Sequence, residues 1–145
     1  MTPKERAVDL FRQGFNCSQA VFVAYRQHEL LDEATALRLS TAFGAGVAHT
    51  GKSLCGAVSG ALMAISMKHG RGDPAEMERK LRTYELSQSL MQQFESCLGS
   101  CQCRDVIGID IGIPENRERA KELKLFETKC AEAVRVAADI LDRLL

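Results

Sequence analysis

The chain has 145 residues, 46% hydrophobic and 26% charged, which fits one domain with one core and does not fit a disordered tail. Lysine plus arginine balances aspartate plus glutamate at 19 each, so charge makes no case for nucleic acid or an anionic membrane surface as partner. Met1–Arg6 lead into no apolar signal core, and the longest apolar stretch, Leu54–Met67, is about 14 residues against roughly 20 for a membrane span; a cytoplasmic protein is expected.

No repeat, low-complexity segment or linker divides the chain, so residues 1–145 read as a single domain. Ala7, Val8, Leu10 and Phe11 mark a short amphipathic helix over Lys4–Gln13, closed by Gly14. Asn16 with Gln19 three residues on forms a capping-box pattern, opening a helix from Cys17 to about Leu30. A third helix is predicted over Glu33–Phe43, ending at Gly44 and Gly46. Beyond a loop through His49, Thr50 and Gly51, Ser53 can cap a helix from Leu54 to His69. That helix is apolar nearly all round, which places it at the centre of a bundle, and its small residues would let neighbours approach closely.

Ala75–Ser96 reads as a long amphipathic helix, Cys97–Pro114 as irregular with one helical turn at Arg104–Ile107. A short charged helix over Glu115–Leu123 and a last one over Lys129–Leu144, with Thr128 as cap, complete the chain. No run shows strand alternation. The fold class is therefore all-α: a compact bundle of about five or six helices around residues 54–69. Met63, Met67, Met77 and Met91 fall at helical spacing and read as core.

Six cysteines in a reducing compartment are packing residues, metal or cluster ligands, or redox-active thiols. Cys17, Cys55, Cys103 and Cys130, from distant parts of the chain, all fall at predicted helix starts. There the free N–H groups and the helix dipole favour a thiolate, the form that ligates metals and attacks disulfides. No pair has C-x-x-C spacing; Cys101 and Cys103 form the weaker C-x-C, with Cys97 four residues upstream of Cys101. Spacing alone leaves packing, ligation and thiol chemistry open.

Three blocks carry a resemblance: Asn16-Cys17-Ser18-Gln19-Ala20-Val21, Phe43-Gly44-Ala45-Gly46-Val47-Ala48 and Cys55-Gly56-Ala57-Val58-Ser59-Gly60-Ala61. With Cys103–Gly108 and Lys129-Cys130, the chain resembles, from about Phe11 to Leu145, the redox-active family named for its C_GCAxxG_C_C cysteine pattern. The resemblance implies four characteristic cysteines, here Cys17, Cys55, Cys103 and Cys130. Through related domains of split-Soret cytochromes, it also implies a two-iron two-sulfur cluster, for which four Cys ligands suffice. Cys97 and Cys101 match no family position, and Cys101 is a competitor to Cys103 as ligand or resolving thiol.

Gly46-Val47-Ala48-His49-Thr50-Gly51-Lys52-Ser53 satisfies the P-loop pattern G-x-x-x-x-G-K-[ST]. It follows a predicted helix where a P-loop follows a buried strand, so it reads as a glycine loop before a helix cap, with weak anion binding left open. His69 reads as a dipole partner at a helix C-terminus and His28 as solvent-facing. His49, near Cys55, is the histidine to watch as a proton donor or alternative ligand.

The expected function is electron transfer or redox sensing through an iron–sulfur or other metal site held by Cys17, Cys55, Cys103 and Cys130, with an unidentified redox partner. One alternative is cofactor-free thiol–disulfide exchange, with Cys55 as nucleophile and a nearby cysteine such as Cys103 resolving it. Another is a non-catalytic interaction module with packing cysteines. The small residues and apolar surface point to a homodimer as the assembly.

Overall fold

A computed structural model describes all residues 1–145. The fold is all-α, with eight α-helices: α1 (Pro3–Arg12), α2 (Cys17–Tyr25), α3 (Glu33–Ser40), α4 (Gly56–His69), α5 (Met77–Leu98), α6 (Cys103–Ile107), α7 (Pro114–Glu122) and α8 (Ala131–Leu144). A 3₁₀ turn at Thr41–Phe43 extends α3, and a π-helical turn at Phe126–Cys130 leads into α8. The helix count exceeds the five or six expected of the bundle because the two short elements anticipated at Arg104–Ile107 and Glu115–Leu123 both form, as α6 and α7.

As expected, α4 is central, packed against α2, α5 and α8. Gly56, Ala57, Val58, Ser59, Gly60, Ala61, Ala64 and Ile65 are all buried. The small residues explain how close α2 comes. A β-carbon on Gly60 would lie 2.6 Å from the Ser18 carbonyl oxygen, and one on Gly56 3.1 Å from the Cys17 β-carbon. The main core unites Ala7, Val21, Val58, Ile65, Leu90, Phe94, Val134 and Leu141. A second cluster sits around Leu10, Phe22 and Ala36, and a third, smaller one around Cys103, Ile107, Ile111 and Ala120.

The Asn16/Gln19 capping box forms as predicted, with Gln19 N–H donating to Asn16 Oδ1 at 2.9 Å and Asn16 N–H to Gln19 Oε1 at 3.0 Å. The same two side chains latch α2 to α3: Gln19 donates to the Leu37 carbonyl and Asn16 to that of Thr41. Three expected boundaries move. Helix α2 stops at Tyr25, not Leu30, because the Arg26 guanidinium takes the Val23 and Leu31 carbonyls and the backbone turns extended. Helix α4 starts at Gly56, not Leu54, and Ser53 is not its cap. Residues 53–55 are drafted into an antiparallel bridge, Leu54 opposite Gln102, with Cys55 N–H on the Cys101 carbonyl at 2.8 Å and Cys103 N–H on that of Ser53 at 2.9 Å. Thr128 caps nothing; its hydroxyl donates back to the carbonyl of Lys124, the left-handed turn residue between α7 and the π-helical turn.

Two side-chain expectations also change. Met63, Met67 and Met91 pack against the core, but Met77 at the start of α5 is exposed. His69 is not a cationic dipole partner. Burial, Lys68, Arg82 and Arg79 push it toward the neutral form, and Arg79 supplies the positive charge at the end of α4, donating to the Gly70 and Lys68 carbonyls. His28 is exposed, as expected, beside Glu29. No helix is long and apolar enough to cross a membrane.

Candidate functional site

Cys17, Cys55, Cys103 and Cys130 all line one cavity of about 330 Å³. Its apolar wall includes Phe11, Phe15, Val106, Ile111 and Phe126. The cavity lies at the seam between the main core, which contains Cys17 and Cys55, and the small third cluster, which contains Cys103; Cys130 packs against both.

Each cysteine is placed by a local device. Cys17 is the first residue of α2, fixed by the Asn16/Gln19 box. Cys55 is the residue before α4, and Cys103 opens α6. The short bridge of residues 53–55 with 101–103 ties these two segments together across a gap of nearly fifty residues. Cys130 ends the π-helical turn at the threshold of α8. Such turns carry one residue more than the α-helix allows and occur often at functional positions. Four helix thresholds thus converge, as the sequence placed them.

All six cysteines are free thiols. The other two stand apart from the cavity. Cys97 is exposed on the last turn of α5, and buried Cys101 donates its S–H to the Met91 carbonyl at 3.4 Å. Cys101 acts on the site through its backbone, by holding the Cys55 N–H.

The protonation state differs from the expectation built on helix dipoles. The neighbouring Cys130 thiol, and then burial, push the Cys17 thiol well up. Burial, and then Cys17, push up Cys55, although the Ala57 and Val58 N–H groups at the start of α4 favour its thiolate. Burial with Cys17 and Asp110 raises Cys103 to about 11. Desolvation and mutual proximity outweigh the helix starts, so these three thiols keep their protons at neutral pH.

The glycine loop closes one side of the cavity. Ala45, Gly46, Val47, Ala48 and His49 are consecutive residues with φ between 53° and 71°, a full left-handed turn. A left-handed conformation costs about 1–2 kcal/mol for each residue bearing a β-carbon, and a β-branched Val47 there is a true outlier. The turn is held by amides: Ala48 N–H on the Ala42 carbonyl at 2.6 Å, Gly51 on Ala45 at 3.0 Å and Ser53 on Gly46 at 3.2 Å. A β-carbon on Gly46 would lie 2.9 Å from that of Cys103, so the turn presses directly on the site. Ala45 and His49 reach the cavity wall.

This geometry removes the nucleotide reading of Gly46–Ser53. The amides of Ala48, His49, Thr50, Gly51, Lys52 and Ser53, which a P-loop would turn toward phosphates, are bonded to carbonyls of the loop and of the 3₁₀ turn before it or to the Thr50 hydroxyl. No strand precedes the motif.

No three His, Cys, Asp or Glu side chains stand in a geometry that would hold a single metal ion. Four thiols facing one apolar cavity do suit a larger sulfur-liganded group, since four thiolates from separate segments are the ligand set of a small iron–sulfur cluster.

The model of the family described as "Putative redox-active protein (C_GCAxxG_C_C)" matches residues 15–144. No curated protein and no solved structure matches the chain. The match spans nearly the whole chain, and the chain belongs to that family.

Proposed function

We propose that this member of the C_GCAxxG_C_C family holds an iron–sulfur cluster through Cys17, Cys55, Cys103 and Cys130 and serves electron transfer or redox sensing. The observation that carries this reading is the convergence of these four cysteines, from four separate segments, on a single apolar cavity. A two-iron two-sulfur cluster needs four thiolates and, when bound, supplies a one-electron couple.

The chain's own residues do the remaining work. Phe11, Phe15, Ile111 and Phe126 keep water from the sulfurs. The Ala57 and Val58 N–H groups at the start of α4 favour the charged form of Cys55. Because ligation takes thiolates, loading releases protons that Cys17, Cys55 and Cys103 otherwise retain.

The test is anaerobic purification followed by a visible spectrum and counts of iron and acid-labile sulfide. Roughly two of each per chain is the expected result. Serine at any of the four positions abolishes colour while circular dichroism stays helical; Cys97→Ser and Cys101→Ser retain it. A wild-type chain that stays folded but takes up neither iron nor sulfide overturns the reading.

One observation favours thiol–disulfide exchange as the second reading: Cys130 is the neighbour that most raises the Cys17 thiol, and the two line the same cavity. On that reading the pair is Cys17 with Cys130, and Cys55 and Cys17, both buried and held protonated, are poor nucleophiles, which leaves the attack to Cys130. A mild disulfide oxidant would then remove two hydrogens from the wild type and none from Cys130→Ser.

A further inference from the structure

His49 is the point where two compartments meet. His49, exposed to solvent on one side, lines the cysteine cavity and also a neighbouring polar cleft formed with Thr50, Lys52, Asp110 and Arg117. The cavity wall has few other polar side chains. Asn16 is engaged with Gln19 and Thr41. Glu127, on the π-helical turn, presents an acceptor when ionised and no donor.

The imidazole is delivered by the left-handed turn, of which His49 is the last residue. The turn packs Gly46 against Cys103 and carries the histidine side chain to the rim of the same cavity. The charges that act on the imidazole are Arg117 and Lys121 of α7; Lys52 and Asp110 share the cleft with it, and Glu127 and the four cysteines share the cavity. Partial burial, then Arg117 and Lys121, favour its neutral form. A neutral imidazole has one N–H donor and one lone pair.

We propose that His49 is a fifth side chain of the cysteine site, donating its N–H to a sulfur of the group that the four cysteines hold. This rests on the cluster reading above. A donor to sulfur stabilises the more negative, reduced state and raises the midpoint potential. His49 is a positioning and tuning residue, and no proton or electron transfer is assigned to it.

The experiment uses the full chain, labelled with ¹⁵N-histidine, reconstituted with iron and sulfide and reduced for pulsed electron paramagnetic resonance. The expected result is a weak ¹⁵N coupling in the wild type that is lost in His49→Ala, whose midpoint potential also moves to more negative values. Glu127→Gln keeps the coupling. Should His49→Ala not fold, His49→Gly serves, because glycine accepts the left-handed conformation and brings no side-chain donor. A loaded wild type without nitrogen coupling, or an unchanged potential in the variant, overturns the inference alone. A strong coupling that marks direct ligation also overturns it, by making His49 a ligand. A wild type that takes up neither iron nor sulfide overturns this inference and the cluster reading together.

Discussion

A methyl group added at Gly60 would sit 2.6 Å from the Ser18 carbonyl oxygen, backbone that cannot swing aside. Gly60→Ala is therefore expected to destabilise the fold by about 1–3 kcal/mol, the usual cost of overpacking, read as a lower denaturant midpoint. The opposite sign is expected at Val47. A β-branched residue at φ 67° is strained, and its side chain is partly exposed, so little burial is lost on its removal. Glycine removes a penalty of about 1–2 kcal/mol and adds about 0.5–1 kcal/mol of unfolded-state entropy. Val47→Gly should raise stability by about 0.5–1 kcal/mol in the same assay. An unchanged or lowered midpoint would mean that the turn carries no strain of the expected size.

Among the elements, the π-helical turn has the most specific consequence. Its extra residue sets the rotation of Cys130 relative to Phe126, both of which face the cavity. Deleting Thr128 should let the run close as ordinary α-helix, turning the upstream residues by about 100° relative to Cys130. The expected outcome is a chain with unchanged helical content that no longer takes up iron and sulfide; retained uptake would show that the turn does not set the site. The sequence does not reveal this element, because Phe126–Cys130 has the composition of any helix start. Nor does it reveal the left-handed turn, since four of its five residues disfavour that conformation. What was legible rests on local chemistry. The Asn16/Gln19 box, the all-apolar α4 with its small residues, and the four cysteines at helix thresholds could each be read from neighbours in the chain. The pairing of residues 53–55 with 101–103, which unseats Ser53 as a cap and joins Cys55 to Cys103, is long-range and leaves no local mark. Burial was also hidden, and burial is what reverses the expected acidity of the thiols.

For the molecule as a whole, that reversal predicts how stability depends on pH. In the unfolded chain the thiols ionise near their ordinary value of 9.0, whereas native Cys103 holds its proton to about 11, and Cys17 and Cys55 are raised as well. The stabilisation is fully present below about pH 9 and is lost as pH rises from there through the native values. Denaturant midpoints of the metal-free chain should fall steadily between about pH 8.5 and pH 10.5, and Cys103→Ala should flatten the slope. A profile flat through that range would contradict the buried, protonated thiols. Iron and sulfide uptake should respond in the opposite direction, improving as pH rises toward the thiol range, because ligation expels protons.

The seam on which the four cysteines meet also has a history within each molecule's synthesis. More than a hundred residues separate Cys17 from Cys130, so at roughly 5–20 residues per second the first thiol waits several seconds on the ribosome for the last. Helices α1, α2 and α4 can pack during that wait, but the pocket has no fourth wall until the π-helical turn emerges. On the cluster reading, a group held by all four cysteines is complete only after translation has passed Cys130, in a nearly finished fold.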